Sequence, residues 1–475
     1  IEWDNTSLLR KHWLNADELP LPEGSSTHDA NGDGVFNIDD YAGDTRVTSH
    51  DGDDAADSVL DPSDLIAVFS DGVDDDVNGY VDDISGWDFF FNDNNPYDDT
   101  RYGHGTGEAK DSAEEGGNSG GIGVCPNCMV LNLRVADSFI AEGSSFASGV
   151  IYAVDNGASV VQEALGALTN SDYVRESIDY AWDNGVTLIA SAADENHWHH
   201  NLPGVNHHTV YVHALRHDAE DRDLANTFLS YSNCTNHGPR LVLSAPSTSC
   251  SSGATGVTGG VAGLLHSAAL DVGLSLTSNE THQLLALTAD DVDVPDALPD
   301  WYPSKAGWDR YFGYGRVNAA LVVEAVVAGE IPPEADLLTP RWFEVIDPLV
   351  STSLEVAGLV RATRSSVASW SLQWAVGEEP DEDQFIEVAS GTEAVEGELA
   401  TLDLAELGIN AEAELPRWEV GDDQIDRETG VNIFTVTLRL QVVDTDGLAG
   451  EMRKAFYVRR DSDRIDGFPV WLGGA

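Results

Sequence analysis

The sequence predicts an α/β unit built on a parallel sheet with helices on both faces, followed by an all-β sandwich. Three observations predict it. First, short apolar runs such as "MVLNLRV" (129–135) and "VTLIASAA" (186–193) have the look of buried strands. Second, they alternate with helical patterns, "SSFASGVIYAVDNG" (144–157) and "YVRESIDYAWDNG" (173–185). Strand–helix alternation pairs strands in parallel, and strands covered on both faces read as continuous apolar runs. Third, past "GEIPPEADLLTP" (329–340) the apolar period becomes two, in "SWSLQWAV" (369–376) and "NIFTVTLRLQVVDTDG" (432–447). That is the period of strands with one buried face.

The elements run in order along the chain. Residues 1–328 form the α/β unit, with an Asp/Asn/Gly-rich insertion at 26–100. Both helical patterns end in Gly, the residue that suits a left-handed C-cap. The prolines of 329–340 mark a linker. Residues 341–465 are expected as a sandwich of immunoglobulin or fibronectin type. The stretch 466–475, "DGFPVWLGGA", is expected as the start of a further connection. "IEWDNTSLLRKHWLN" opens abruptly and without a signal-peptide pattern, as if a preceding segment had been removed.

Charge narrows the function classes. Asp and Glu number 83 against 24 Lys and Arg, a net charge of −59. Nucleic acid and anionic membranes would be repelled by such a surface. The excess suits a secreted protein in salty water, or one that loads divalent cations. Apolar residues make up 42%, enough for a real core. No run of eighteen apolar residues suggests a membrane span. The four cysteines are Cys125 and Cys128 in "CPNC", then Cys234 and Cys250. A haem or zinc motif would need a following His or a second CxxC pair. Two disulfides, Cys125–Cys128 and Cys234–Cys250, are expected, in an oxidising extracellular or cell-surface setting.

Three acidic loops are candidate Ca²⁺ sites. "DANGDGVFNIDD" (29–40) places Asp29, Asn31, Asp33, Val35 (by its carbonyl), Asn37 and Asp40 at positions 1, 3, 5, 7, 9 and 12. Hard oxygen donors at alternate positions can wrap one Ca²⁺, with Gly34 permitting the sharp turn. "DDAADSVLDPSD" (53–64) offers Asp53, Asp57, Asp61 and Asp64, but Ala55 at position 3. "DDDVNGYVDD" (74–83) offers Asp74, Asp76, Asn78 and Asp82 around Gly79. The first loop resembles the calcium loop of dockerin modules. Without convincing flanking helices, the loops are expected as structural staples rather than as a docking module. Two or three Ca²⁺ ions are expected.

The order of five further motifs resembles that of subtilisin-like serine proteases (subtilases). They are "YGHGTGEAKD" (102–111), "VVQEALG" (160–166), "LIASAADEN" (188–196), "LVLSAPST" (241–248) and "GATGVTGGVAGLL" (253–265). "GVDDDVNGYVDDISGWDF" ahead of the histidine and "GWDRYFGYGRVNA" (307–319) add to the likeness, which spans about residues 1–328. The resemblance implies a parallel α/β sheet and peptide hydrolysis by Asp, His and Ser, with an Asn side chain helping to hold the oxyanion.

Carried over residue by residue, that implied site is altered. His104, in "HGT", matches the catalytic histidine. Asp194 stands at the oxyanion Asn, where a carboxyl helps only when protonated. Aligning Val261-Ala262-Gly263 with the family's Val-Ala-Gly puts Thr255 at the nucleophile, with Ser251 and Ser252 on the wrong side of the turn. "IEWD" matches the residues directly after the family's aspartate, so that strand and its Asp are expected before Ile1, and a preceding polypeptide segment is expected to supply them. A usual "SLG" reads Ala164-Leu165-Gly166.

These departures imply a catalytically degenerate subtilase, serving as a structural or binding module for a protein or peptide partner in an extracellular assembly. A homo-assembly is one form this could take. The alternative is an active peptidase using Thr255 with His104. A third reading is a site for Zn²⁺ or another transition metal at His197, His199 and His200, with Asp194 or Glu195, in the histidine-rich stretch 195–217.

Overall fold

The computed structural model describes residues 1–52, 59–117, 121–215, 234–293, 304–348, 350–405 and 433–459. Its first unit carries strands β1 (Trp87–Asp88), β2 (Leu133–Arg134), β3 (Ile140–Ala141), β4 (Val160–Glu163), β5 (Gly166–Ala167), β6 (Thr187–Ser191), β7 (Thr209–Leu215) and β8 (Leu243–Pro246). Its helices are α1 (Pro62–Phe69), α2 (His104–Ala113), α3 (Gly143–Asp155), α4 (Asp172–Asp183), α5 (Cys250–Asp271), α6 (Ser278–Leu287) and α7 (Ala319–Ala328). The central sheet is parallel, in the order β4-β6-β7-β8. Two short parallel pairs, β1-β2 and β3-β5, stand beside it.

The sheet is covered on both faces. Along β6, Leu188 and Ala190 face one way and join Phe146, Val150, Val174 and Ile178 of α3 and α4. Ile189 faces the other way and joins Val261, Leu265, Leu284 and Val322 of α5, α6 and α7. Two apolar faces explain why these strands read as unbroken apolar runs. α4 is shaped for its place: Val174, Ile178 and Ala181 recur at helical spacing, and Ser171 caps its start by accepting from the Val174 amide. Both expected disulfides are present, Cys125–Cys128 and Cys234–Cys250.

The second unit has β9 (Glu334–Thr339), β10 (Val345–Ile346), β11 (Ser353–Arg361), β12 (Val367–Val376), β13 (Ile386–Gly391), β14 (Val395–Asp403), β15 (Ile433–Asp444) and β16 (Ala449–Arg459). A five-stranded sheet, β10-β16-β15-β12-β13, faces a three-stranded one, β14-β11-β9. Val356, Val360, Leu372, Leu438 and Phe456 fill the shared core. All pairings are antiparallel except β10 with β16.

The expected linker is corrected here. Residues 334–339 are a strand of the sandwich, paired with β11. Pro332 and Pro333 only precede it, while Ala335 and Leu337 alternate into the core. The expected connection at 466–475 lies outside the described residues. The sandwich is bolted to the first unit. Gln283 of α6 exchanges hydrogen bonds of 3.1 and 2.9 Å with the Glu451 backbone, and Arg364 meets Glu280 at 2.7 Å.

Candidate active site

α5 answers what the glycine-rich stretch does. Its glycines belong to a long helix packed against α2 rather than to a turn. A β-carbon on Gly256 would stand 2.8 Å from Asp111 Cβ, and one on Gly260 would stand 3.0 Å from the Ser112 carbonyl oxygen. Only hydrogen at these positions lets the two helices come so close.

That close approach builds the site. His104 opens α2, preceded by Gly103 in the left-handed region at φ 76°. Ser252 lies in the first turn of α5, and its Oγ is 2.9 Å from His104 Nε2. The residues are 148 positions apart in the chain. Burial lowers the His104 pKa below its ordinary value, with Asp194 pulling the other way, so the ring stays a neutral base.

Thr255 is therefore not at the histidine. It is fully buried one turn further along α5, and its hydroxyl donates to the Ser251 carbonyl at 2.9 Å. The Val-Ala-Gly alignment is off by three residues, close to one helical turn, which leaves a hydroxyl on much the same face. A physical signal favours Ser252. The first turn of a helix has free backbone N–H groups that can hold a developing oxyanion, and a residue one turn inside does not.

Asp194 comes after β6 and reaches the same helix start. Its Oδ1 accepts from the Ser251 amide at 2.9 Å and from the Ser251 hydroxyl at 2.5 Å. Burial raises its pKa, although the bonds to Ser251 act against that. Glu108, one turn after His104, is a functional-site residue that sequence reasoning missed. Its Oε1 lies 3.7 Å from His104 Nε2, and its Oε2 is buried without a hydrogen bond. Burial first, then Asp111 and Asp194, pushes its pKa up to about 8. Its signal in sequence is a lone acid on a buried helix face.

Among the described residues, no carboxylate is paired with His104 Nδ1. Beside the histidine lies a cavity of about 760 Å³ whose walls include Ile1, Leu131, Leu133, Val161 and Glu163. It separates β2 from β4. Among the described residues, each of these strands has a sheet partner on one side only, β1 and β6 respectively. Glu163 is buried with both carboxylate oxygens unbonded, and burial holds its pKa well above the ordinary value.

The first and third acidic loops share one pattern. Asp29 accepts from the amides of Gly32, Asp33 and Gly34, and Asp33 from Val35. Asp74 accepts from the amides of Asn78 and Gly79, and Asn78 from Tyr80. Asp40 closes the first loop by accepting from the amides of Ala30 and Asn31 at 2.7 and 3.1 Å. In the third loop that part is taken by Glu18, bonded to the amides of Asp75 and Asp76 at 2.8 and 3.2 Å. Donor oxygens of Glu18, Asp74 and Asp76 lie within 4.8 Å of one another. Glu18 is invisible to loop spacing because it comes from far upstream. Asp82 turns instead to the amides of Asp71 and Gly72. Asn37 accepts from the Asp39 amide at 2.8 Å.

In the second loop, Asp53 and Asp57 lie outside the described residues. Asp61 and Asp64 form the capping box of α1, and Asp64 also accepts from the amides of Asp51 and Gly52. The structure does not gather His197, His199 and His200 into a metal site. His200 stacks on Phe343 of the sandwich at 4.9 Å with neither ring nitrogen hydrogen-bonded, while His199 Nδ1 meets Glu195 at 3.3 Å.

Comparisons with known proteins agree with this geometry. The family model described as "Subtilase family" matches residues 57–315. A thermophilic serine proteinase of Bacillus sp. (strain AK1) is 30% identical over 263 residues, covering 54% of this chain and 60% of that protein. Thermitase of Thermoactinomyces vulgaris is 29% identical over 256 residues, covering 52% and 83%. Halolysin of Haloferax mediterranei is 29% identical over 331 residues, covering 60% and 61%. The chain thus spans 60% of the first relative's length. The matched region contains β4, β6, β7 and β8, both helices of the histidine–serine contact and both residues that make it. The chain belongs to the subtilase family.

Proposed function

We propose that this protein is a secreted serine peptidase whose nucleophile is Ser252 and whose base is His104. The 2.9 Å contact between Ser252 Oγ and His104 Nε2, at the start of a buried helix, carries the reading. Ser252 Oγ attacks the scissile carbonyl carbon while its proton passes to His104 Nε2. The C–N bond then breaks as the imidazolium returns that proton to the leaving amine. Water, deprotonated by the same ring, releases the acyl group from Ser252. Amides in the first turn of α5 would hold the oxyanion, apart from that of Ser251, which Asp194 accepts, and a protonated Asp194 would add a donor. Names given to the relatives, serine proteinase among them, support the same chemistry.

Peptide substrates fit the surroundings. Tyr102 and Phe139 are exposed, with ring centroids 5.9 and 6.2 Å from that of His104, and Ile140 is exposed on the two-residue strand β3. Such a rim suits apolar side chains of an extended polypeptide. We assign the 760 Å³ cavity to one further extended segment, the one expected ahead of Ile1, with a carboxylate placed at His104 Nδ1. The loops at Asp29 and Asp74 would hold Ca²⁺ as structural staples, with Asp29, Asn31, Asp33 and Asp40 around one ion and Glu18, Asp74, Asp76 and Asn78 around the other. No helix among the described residues is long and apolar enough to cross a membrane. Two disulfides and the acidic surface support secretion.

The scaffold reading keeps one observation in its favour, the absence of a carboxylate partner at His104 Nδ1 among the described residues. One experiment separates the two. The chain, together with any segment preceding Ile1, is assayed on an unfolded protein with Ca²⁺ present. Ser252→Ala lowers kcat/KM by roughly a thousandfold or more, while Thr255→Val keeps most activity. Absence of turnover in folded wild-type protein would leave the scaffold. Loss on Thr255→Val with survival of Ser252→Ala would restore threonine as the nucleophile.

A further inference from the structure

A second cluster in the histidine-rich stretch lies away from Ser252. His207 and His208 are consecutive residues just before β7, with ring centroids 4.2 Å apart. His208 has a left-handed backbone, φ 59°, which a side chain of this size adopts only when its surroundings hold it there. Both rings aim Nε2 at one carboxylate. His207 Nε2 is 2.8 Å from Asp336 Oδ1, and His208 Nε2 is 3.0 Å from Asp336 Oδ2. Asp336 belongs to β9, so the three groups join the two units. Behind them Asp179 of α4 meets His208 Nδ1 at 2.6 Å.

The donor atoms of His207, His208 and Asp336 all lie within 4.8 Å of one another. A cavity of about 10 Å³ opens onto them, bordered also by Asn279 and His282. That is room for about one water molecule or one ion. His207 Nδ1 is buried without a hydrogen bond. Two imidazoles and one carboxylate match the donor set of Zn²⁺-class ions, whereas Ca²⁺ and Mg²⁺ prefer oxygen alone. A carboxylate behind a ligating imidazole fixes its tautomer and sharpens its aim, which is where Asp179 stands.

Charge sets a limit on the site. Two cations, Arg240 and Lys454, act on Asp336, against the three carboxylates Asp336, Asp179 and, at Lys454, Glu344. Without metal, the His208 ring bridges Asp179 and Asp336 through its two nitrogens, at 2.6 and 3.0 Å. We propose that His207, His208 and Asp336 bind one transition-metal ion of the Zn²⁺ class, with Asp179 orienting His208, and that the ion staples the sandwich to the subtilase unit.

The test uses the full chain, stripped with chelator and then held in excess Ca²⁺ so that the acidic loops are not open to Zn²⁺. Calorimetric titration with Zn²⁺ is expected to give one equivalent per chain and a higher melting temperature. Co²⁺ is expected to give the visible absorption of a four-coordinate site. His208→Ala abolishes uptake, and Asp179→Asn weakens it by roughly tenfold. If His208→Ala does not fold, His207→Gln serves, because it leaves the Asp179–His208–Asp336 bridge in place. Folded wild-type protein that takes up no Zn²⁺, or takes up as much as His207→Gln, would overturn the proposal and leave a proton-bridged clasp.

Discussion

Replacing Gly256 by alanine tests the contact on which the active-site reading stands. The new β-carbon would lie 2.8 Å from Asp111 Cβ, 3.0 Å from the Glu108 carbonyl oxygen and 3.2 Å from Glu108 Oε2. Carbon atoms pack at about 3.5–4.0 Å, so α2 and α5 must part by about 0.7 Å or more. Two effects compete in stability. Alanine favours a helix interior over glycine by about 1 kcal/mol, while overpacking a tight interface costs about 1–3 kcal/mol. The net result is a loss of roughly 0–2 kcal/mol, a fall of a few degrees in Tm at most. Activity should suffer more. Ser252 is one turn before Gly256 and His104 is one turn before Glu108, so parting the helices lengthens the 2.9 Å contact towards the limit of a hydrogen bond. A displacement of this size lowers kcat/KM by about 10–100-fold. Peptide hydrolysis and a thermal melt on the same preparation decide it. A variant with wild-type kcat/KM and wild-type Tm would refute the close helix contact and its role in aligning the dyad.

The same structure yields further expected outcomes. Asp194 has a raised pKa and must keep its proton to act as a donor, while His104, with a lowered pKa, stays neutral below its ordinary value of 6.5. Activity should therefore rise as His104 loses its proton, at a pH below 6.5, and fall as pH rises through the Asp194 titration. Asp194→Asn, a permanent donor, should remove that fall, and pH profiles that coincide would refute the role. Removing Ca²⁺ with chelator should lower Tm, since an ion present at a hundred times its Kd contributes about 2.7 kcal/mol. Glu18→Gln should weaken Ca²⁺ binding at the Asp74 loop and leave the Asp29 loop unchanged, as read by titration. The Cys234–Cys250 bond spans 16 residues and ends two positions before Ser252. Its removal by Cys234→Ala with Cys250→Ala should cost about 3 kcal/mol, measured by denaturant unfolding. Equal stability with and without the bond would count against that estimate.

Much of the fold is legible in the sequence because its signals are local. The run at 186–193 is apolar because its strand is enclosed by neighbours on both faces, and the alternation of 369–376 records one wet face, whereas the run at 129–135 holds only the two-residue strand β2 and is half-buried along the wall of the 760 Å³ cavity. His104 and the two disulfides stand out in short motifs. The hidden parts depend on contacts across the chain. Glu18 meets a loop 57 residues away, and Glu108 matters only because α5 lies against α2. The nucleophile is misplaced when the glycines are taken for a turn, because their hydrogens instead let two helices touch. The stretch 329–340 reads as a linker because two prolines outweigh the strand alternation after them.

The strand that leaves the subtilase unit is tied into both units along its first residues. Glu334 accepts from Thr277 ahead of α6 at 3.0 Å and from Arg361 of β11 at 2.7 Å, and Asp336 is held by His207 and His208. A backbone cut between Gly329 and Pro333, whether by a foreign protease or by a sister molecule, would sever the chain without freeing either half. Such nicked material should elute as one particle under native conditions and split into two bands only under denaturation. Trimming of this protein during storage would then go unseen by gel filtration, and its effect on turnover would be easy to mistake for slow inactivation of the intact chain.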